Sequence, residues 1–166
     1  MDAESLKAAQ APLKEKYRDA PNAARVTLSA EGRLGDNVSC SVSTHRALTE
    51  AGLHPATGGT GALACSGDML LEALVACAGV TLGAVATSLG LPLAGAAIRA
   101  EGDLDFRGTL GVAKDAPVGF TAIRLDFTLE GDLSDEQRAT LMKLTERYCV
   151  VLQTLRAPPA IAARAA

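Results

Sequence analysis

The chain has 166 residues, of which 48% are hydrophobic and 21% charged, and its formal charge at pH 7 is -3. A chain of this length buries about 70% of the surface it exposes when unfolded, so a single soluble domain is expected, disorder is excluded over most of the length, and no disulfide framework is needed. The mild acidity comes without a block of Lys or Arg or an aromatic-basic stripe, which sets nucleic-acid binding aside. Aromatic residues make up only 3% and there is no Trp, so the apolar content comes mainly from small side chains and predicts a thin core that leans on an oligomer.

Residues 1–22 read as an N-terminal helical arm and residues 23–166 as the domain proper. Residues 3–19 are helical in pattern but hold Pro12, which divides them into two short helices, and Asp19-Ala20-Pro21-Asn22 closes the segment. Val26, Leu28 and Ala30 alternate with Arg25, Thr27 and Ser29, and Val38, Cys40 and Val42 alternate with Ser39, Ser41 and Ser43. These are two half-buried strands, joined as a hairpin near Gly35-Asp36-Asn37. From His45 to Ala64 there is no sustained period, and Gly58-Gly59-Thr60-Gly61 marks a long functional or mobile loop.

A helix follows over residues 68–89, with Ser66 as its cap, Asp68 in its first turn, and Gly90 and Pro92 at its end. It is apolar on nearly every face, the pattern of an element packed on all sides. The stretch 69–91 carries Glu72, Thr81, Thr87 and Ser88 and no basic flank, so a membrane span is not expected. Two more strands follow. In one, Ile98, Ala100, Leu104 and Phe106 alternate with Arg99, Glu101, Asp103 and Asp105; in the other, Ile123, Leu125, Phe127 and Leu129 alternate with Arg124, Asp126, Thr128 and Glu130. Ser134 and Gln137 form a capping box for a second helix, in which Leu141, Leu144, Tyr148, Val151 and Leu155 recur at helical spacing until Pro158-Pro159. The fold class is therefore α+β: a hairpin, a long buried helix, a second hairpin and a second helix.

Four cysteines without a CxxC pair or a charged-then-apolar leader point to a cytoplasmic protein with free thiols. Buried cysteine is ordinarily a small hydrophobe, and Cys40, on the apolar face of a strand, is read that way; Cys65 lies in the loop beside Ser66. His45, His54, Cys65 and Cys77 have no metal-ligand spacing, and Gly59-Thr60-Gly61 lacks the Gly-Lys-Ser/Thr ending of a phosphate cradle. No metal or cofactor is expected. Cys77, in the middle of the first long helix, and Cys149, in the second, stand in more informative surroundings.

The run from Ser66-Gly67-Asp68 through Leu74-Val75-Ala76-Cys77 to Gly79-Val80-Thr81-Leu82 resembles the peroxidatic helix of the OsmC/Ohr family, the osmotically inducible and organic hydroperoxide resistance proteins. Tyr148-Cys149-Val150-Val151-Leu152-Gln153-Thr154-Leu155 is similar to that family's second cysteine segment. The resemblance implies an OsmC-like fold, an intertwined homodimer, and reduction of organic hydroperoxides. Cys77 would attack the peroxide as a thiolate, and Cys149 would condense with the resulting sulfenic acid to a disulfide. An external dithiol reductant, with a lipoyl-type dithiol as one candidate, would reopen it.

A thiol three turns inside an apolar helix lies beyond the reach of that helix's dipole, so a cation from elsewhere is expected. Arg46, in Ser43-Thr44-His45-Arg46, is the candidate by resemblance. The family's orienting carboxylate is implied at Asp68, nine residues before Cys77. If helical, Asp68 faces away from Cys77, and it also reads as an acid compensating the helix dipole. Glu72, expected to be buried in the apolar helix, needs a partner and is either ion-paired structurally or takes the orienting role. A non-catalytic ligand-binding protein and a thiol redox sensor are the alternatives to the peroxidase.

Overall fold

The structure, a computed structural model, describes residues 2–5, 8, 10, 11, 19, 31–35, 39–43, 48–111 and 113–165. Residues 3–5, 8, 10 and 11 are helical, as the arm's pattern predicts. The break at Pro12 and the strand expected at 26–30 lie outside the described residues. The chain divides into two compact units. One takes Met1–Leu13, Ala73–Arg99 and Leu125–Ala166; the other takes Lys14–Glu72 and Ala100–Arg124.

The second unit is built on a four-stranded sheet in the order β1 (Glu31–Gly35), β2 (Ser39–Ser43), β3 (Leu48–Gly52), β4 (Ala64–Cys65). β1 and β2 form an antiparallel pair with Leu34 opposite Cys40; β2 is the second of the two expected strands, and its partner β1 lies in the stretch expected to lead into the turn. β3 runs antiparallel to β2, with Cys40 opposite Ala51, and β4 runs parallel to β3. The segment expected to be a structureless loop thus contributes two strands. Leu-Thr-Glu-Ala-Gly in β3 has little strand propensity of its own, and backbone pairing with β2 supplies the partners that make it a strand. Between β3 and β4, Pro55–Thr57 makes a 3-10 turn. His54 caps it, its Nδ1 accepting from the Ala56 N–H at 3.0 Å. The His54 ring stacks on Phe106, 5.0 Å between centroids.

Helix α1 (Ser66–Leu89) follows β4 without a break. Its end is a Schellman motif: Gly90, with φ at +63°, donates to the Thr87 carbonyl at 3.1 Å and Leu91 to the Ala86 carbonyl at 3.0 Å. Pro92 then prevents continuation. β5 (Leu93–Asp103) and β6 (Ala122–Gly131) pair in a two-stranded sheet, with the short helix α2 (Phe106–Thr109) between them. Along β6 Ile123, Leu125, Phe127 and Leu129 are half-buried and Arg124, Asp126, Thr128 and Glu130 exposed, as the alternation predicts.

The core of the first unit is Leu82 and Ala86 of α1 with Leu133 and Leu141, flanked by Leu93, Ala96 and Ile98 of β5, Phe127 and Leu129 of β6, and Val85, Leu91 and Met142. Helix α1 buries one stripe only, Leu74, Ala78, Leu82 and Ala86, four residues apart. Its remaining apolar surface is open on the single chain: Leu70 is 38%, Val80 76% and Leu89 45% exposed. Among the described residues, therefore, the helix is packed along one stripe and not on all sides.

Helix α3 (Asp135–Tyr148) begins with the expected capping box: Gln137 N–H donates to Ser134 Oγ at 3.2 Å, and Ser134 N–H to Gln137 Oε1 at 2.9 Å. The sequence predicts one helix from here to Pro158. The structure ends it at Tyr148 and starts a separate helix, α4 (Val150–Arg156), one residue later.

Candidate active site

The interruption at Cys149 organises the site. Cys149 has φ -70° and ψ 105°, an extended conformation that makes it at once the C-cap of α3 and the N-cap of α4. The two β-branched residues that follow, Val150 and Val151, lose side-chain freedom in a helix interior and weaken continuation there. In an unbroken helix their N–H groups would bond the carbonyls of Glu146 and Arg147, four residues back. The break releases both donors. The Glu146 carbonyl is taken instead by the Gln153 side chain, whose Nε2 donates to it at 2.7 Å. Arg156 pairs with the Glu146 carboxylate at 2.9 Å, so the same residue clips α4 to α3 twice.

The released N–H groups meet the sulfur of Cys77. Burial pushes that thiol up, but the Val151 N–H, the Cys149 thiol and the Val150 N–H donate to it, with the Thr81 hydroxyl beside it, and together they bring it below the ordinary thiol value. Cys149 behaves in the opposite way. Burial raises it, the Leu152 and Val151 N–H groups only partly offset this, and the hydrogen bond and negative charge of Cys77 raise it further. Cys149 is completely buried and Cys77 half-buried. The two shifts are opposed, so Cys77 is the member of the pair that ionises first, and Cys149 keeps its S–H and donates it to its neighbour. Chemically this is an accessible, more acidic thiol backed by a shielded, less acidic one.

Thr81, one turn beyond Cys77, is a site residue that sequence reasoning missed. Its hydroxyl donates to the Cys77 carbonyl at 2.7 Å and lies within reach of the sulfur. Its i, i+4 spacing from Cys77 was the available signal. The Val150 and Val151 amides were missed for a different reason: main-chain donors leave no mark in a sequence.

Of the residues singled out from the sequence, the structure brings Cys77 and Cys149 together. Cys149 is not inside a helix, as its surroundings predicted, but at the junction of two. Asp68 stands in the first turn of α1 and is exposed. Glu72 is exposed as well, so the expectation of a buried carboxylate in need of a partner is not met by the single chain: Glu72 lies off the one stripe that α1 buries. Arg46 lies outside the described residues, as does the side chain of Cys40. Cys65 is a half-buried free thiol. Among the described residues no group of three His, Cys, Asp or Glu side chains is placed to hold a metal ion.

The sequence matches the family model for OsmC-like proteins over residues 59–164. No curated protein matches it. Several solved structures share its fold. An OsmC-like protein from Mycoplasma pneumoniae superposes with a TM-score of 0.68 at 14% identity, covering 80% of this chain and 89% of that one. An organic hydroperoxide resistance protein from Elizabethkingia anophelis gives 0.66 at 15% identity, over 81% and 91% of the two chains. An organic hydroperoxide resistance protein OsmC from Legionella pneumophila gives 0.64 at 17% identity, over 81% and 92%. At these identities the likeness is one of fold.

Proposed function

The chain belongs to the OsmC family, and from that premise we propose that it is a thiol-dependent peroxidase that reduces organic hydroperoxides to alcohols. The observation that carries the reading is the opposed ionisation of two sulfurs in hydrogen-bond reach, Cys77 lowered and Cys149 raised. The names of two of the similar structures, organic hydroperoxide resistance proteins, agree with it.

In the first step the Cys77 thiolate attacks the distal oxygen of the hydroperoxide. The O–O bond breaks, the departing alkoxide takes up a proton and leaves as the alcohol, and Cys77 becomes a sulfenic acid. That step removes the negative charge which had helped to hold the Cys149 proton in place. Cys149 then ionises more readily and attacks the Cys77 sulfur; an S–S bond forms, the S–O bond breaks, and the hydroxide leaves as water with the proton Cys149 gave up. An external dithiol, a lipoyl group being one candidate, reduces the disulfide and is itself oxidised. Keeping Cys149 protonated until Cys77 has reacted sets the order of the two steps.

Arg46 is proposed as the cation that attracts the peroxide and supports the thiolate, with Asp68 or Glu72 orienting it. The protein is proposed to act in the cytoplasm as an intertwined homodimer. Leu70 and Val80 are exposed on α1, away from its buried stripe, and the second copy of the chain would cover them. Tyr148 and Val150, 57% and 71% exposed on either side of Cys149, would offer apolar surface to an alkyl tail, favouring bulky hydroperoxides over hydrogen peroxide by about 0.8 kcal/mol per methylene buried.

The test is a titration with cumene hydroperoxide followed by intact mass, then steady turnover with dihydrolipoamide. Loss of two hydrogens per chain, a Cys77–Cys149 disulfide on peptide mapping, and sustained turnover are expected. Stoichiometric oxidation without turnover would mark a redox sensor instead, and no oxidation at all would leave a binding protein.

A further inference from the structure

Each cysteine of the pair has a threonine one helical turn away. Thr81 follows Cys77 by four residues, and its hydroxyl is fully used, donating to the Cys77 carbonyl at 2.7 Å beside the sulfur. Thr145 precedes Cys149 by four residues, on the buried side of α3. It is 1% exposed, and its hydroxyl has no hydrogen-bond partner among the described residues. A helical threonine ordinarily donates to the carbonyl four residues back, which here would be that of Leu141. Thr145 does not. Its backbone is tied to the junction all the same, because its carbonyl accepts the Cys149 N–H at 3.0 Å. An unpaired buried hydroxyl is destabilising, and valine would fill the same space without it.

Resting on the peroxidase reading above, we infer that Thr145 is a positioning residue for the second step, its hydroxyl donating to the Cys149 sulfur when that sulfur is a thiolate. In the resting pair Cys149 is a thiol whose proton goes to Cys77, and Thr145 has no charge to serve. Once Cys77 is a sulfenic acid, Cys149 must ionise inside a fully buried pocket, where burial opposes the charge. A hydroxyl one turn away, on the same buried face, and unengaged in the resting state, is placed to turn toward that charge. It transfers no proton. The proton lost by Cys149 leaves with the sulfenic hydroxyl as water, and the Thr145 O–H only holds the thiolate ready for attack.

The experiment compares wild type, Thr145→Val, Thr145→Ala and Thr145→Ser under single turnover with one equivalent of cumene hydroperoxide, across pH 5–9 (about the accessible range for thiol chemistry). Sulfenic acid is read by dimedone trapping and the disulfide by intact mass. Thr145→Val is expected to form sulfenic acid at the wild-type rate but to close the disulfide roughly three- to tenfold more slowly near neutral pH, with the midpoint of closure moved to higher pH. Thr145→Ala should share the defect, and Thr145→Ser should restore both rate and midpoint. Closure at the wild-type rate and pH dependence in Thr145→Val overturns the inference; if that variant does not fold, the same result in Thr145→Ala does so. Equal slowing in Thr145→Ser and Thr145→Val also overturns it, since that assigns the effect to packing. A wild-type protein that forms sulfenic acid but no Cys77–Cys149 disulfide removes the peroxidase mechanism itself, and the inference with it.

Discussion

Replacing Cys149 by alanine separates two roles that one sulfur performs. The obvious effect is that no disulfide can form. The less obvious one is that Cys77 loses the S–H donor that Cys149 supplies to its thiolate, leaving chiefly the Val150 and Val151 N–H groups to oppose burial. A hydrogen bond to a charged group is worth about 1.5–3 kcal/mol, and a thiol is a weak donor, so the low end applies. About 1.4 kcal/mol is one pKa unit, a tenfold fall in thiolate fraction on the acidic side of the titration. The thiolate that remains is more basic and more nucleophilic, with a Brønsted slope of about 0.4–0.5, so the observed rate falls only about three- to fourfold. The assay is alkylation of Cys77 by iodoacetamide as a function of pH, followed by peptide mass so that Cys40 and Cys65 do not contribute. Cys149→Ala should shift the profile to higher pH with that loss of rate on its acidic limb. Cys149→Ser, whose hydroxyl is the stronger donor, should recover most of it while remaining unable to form the disulfide. An unchanged profile in Cys149→Ala would refute the claim that the buried thiol supports the thiolate.

Three further outcomes are expected. Cys77→Ser should abolish peroxide consumption, whereas Cys149→Ser should consume one equivalent and stall as a sulfenic or further oxidised acid; equal residual activity in the two would reverse the assignment. The two steps should have different pH dependences: sulfenic acid formation follows ionisation of Cys77, favoured by its donors, while closure follows ionisation of Cys149, which burial still opposes once Cys77 has reacted, so lowering the pH should slow closure first and quench-flow should show sulfenic acid accumulating. Val80→Glu, which puts a charge on the open face of α1, should convert the proposed dimer to monomer by light scattering at micromolar concentration, and a wild type already monomeric would defeat the dimer proposal.

Much of the architecture is legible in the residues because it is decided locally. Alternation of Ile123, Leu125, Phe127 and Leu129 with polar neighbours marks β6. The Ser134 and Gln137 capping box starts α3, and Gly90 with Pro92 ends α1. Each of these acts within a few residues, and each stands where the sequence puts it. The positions of the two cysteines along the chain were legible in the same way, through the segments that carry them.

What the residues did not announce depends on partners far away in the chain. β3 exists because β2 offers it backbone donors and acceptors, not because its residues favour a strand. Glu72 is exposed because it lies off the stripe through Leu74 and Leu82 that the described residues bury, and on a helix apolar all round the periodicity does not say which stripe that is. The site itself turns on the break at Cys149, where apolar spacing continues unbroken and promises one helix. Local propensity there is weak, and the choice falls to tertiary bonding: Gln153 and Arg156 take up Glu146, and the freed Val150 and Val151 amides find the Cys77 sulfur. The segments around Cys77 and Cys149 singled out these two thiols and, by resemblance, implied Cys77 as the nucleophile; the physical reason for favouring Cys77 came only from the folded chain, because ionisation is set by the donors that surround a sulfur, and here those include main-chain groups brought there by a break no residue pattern marks.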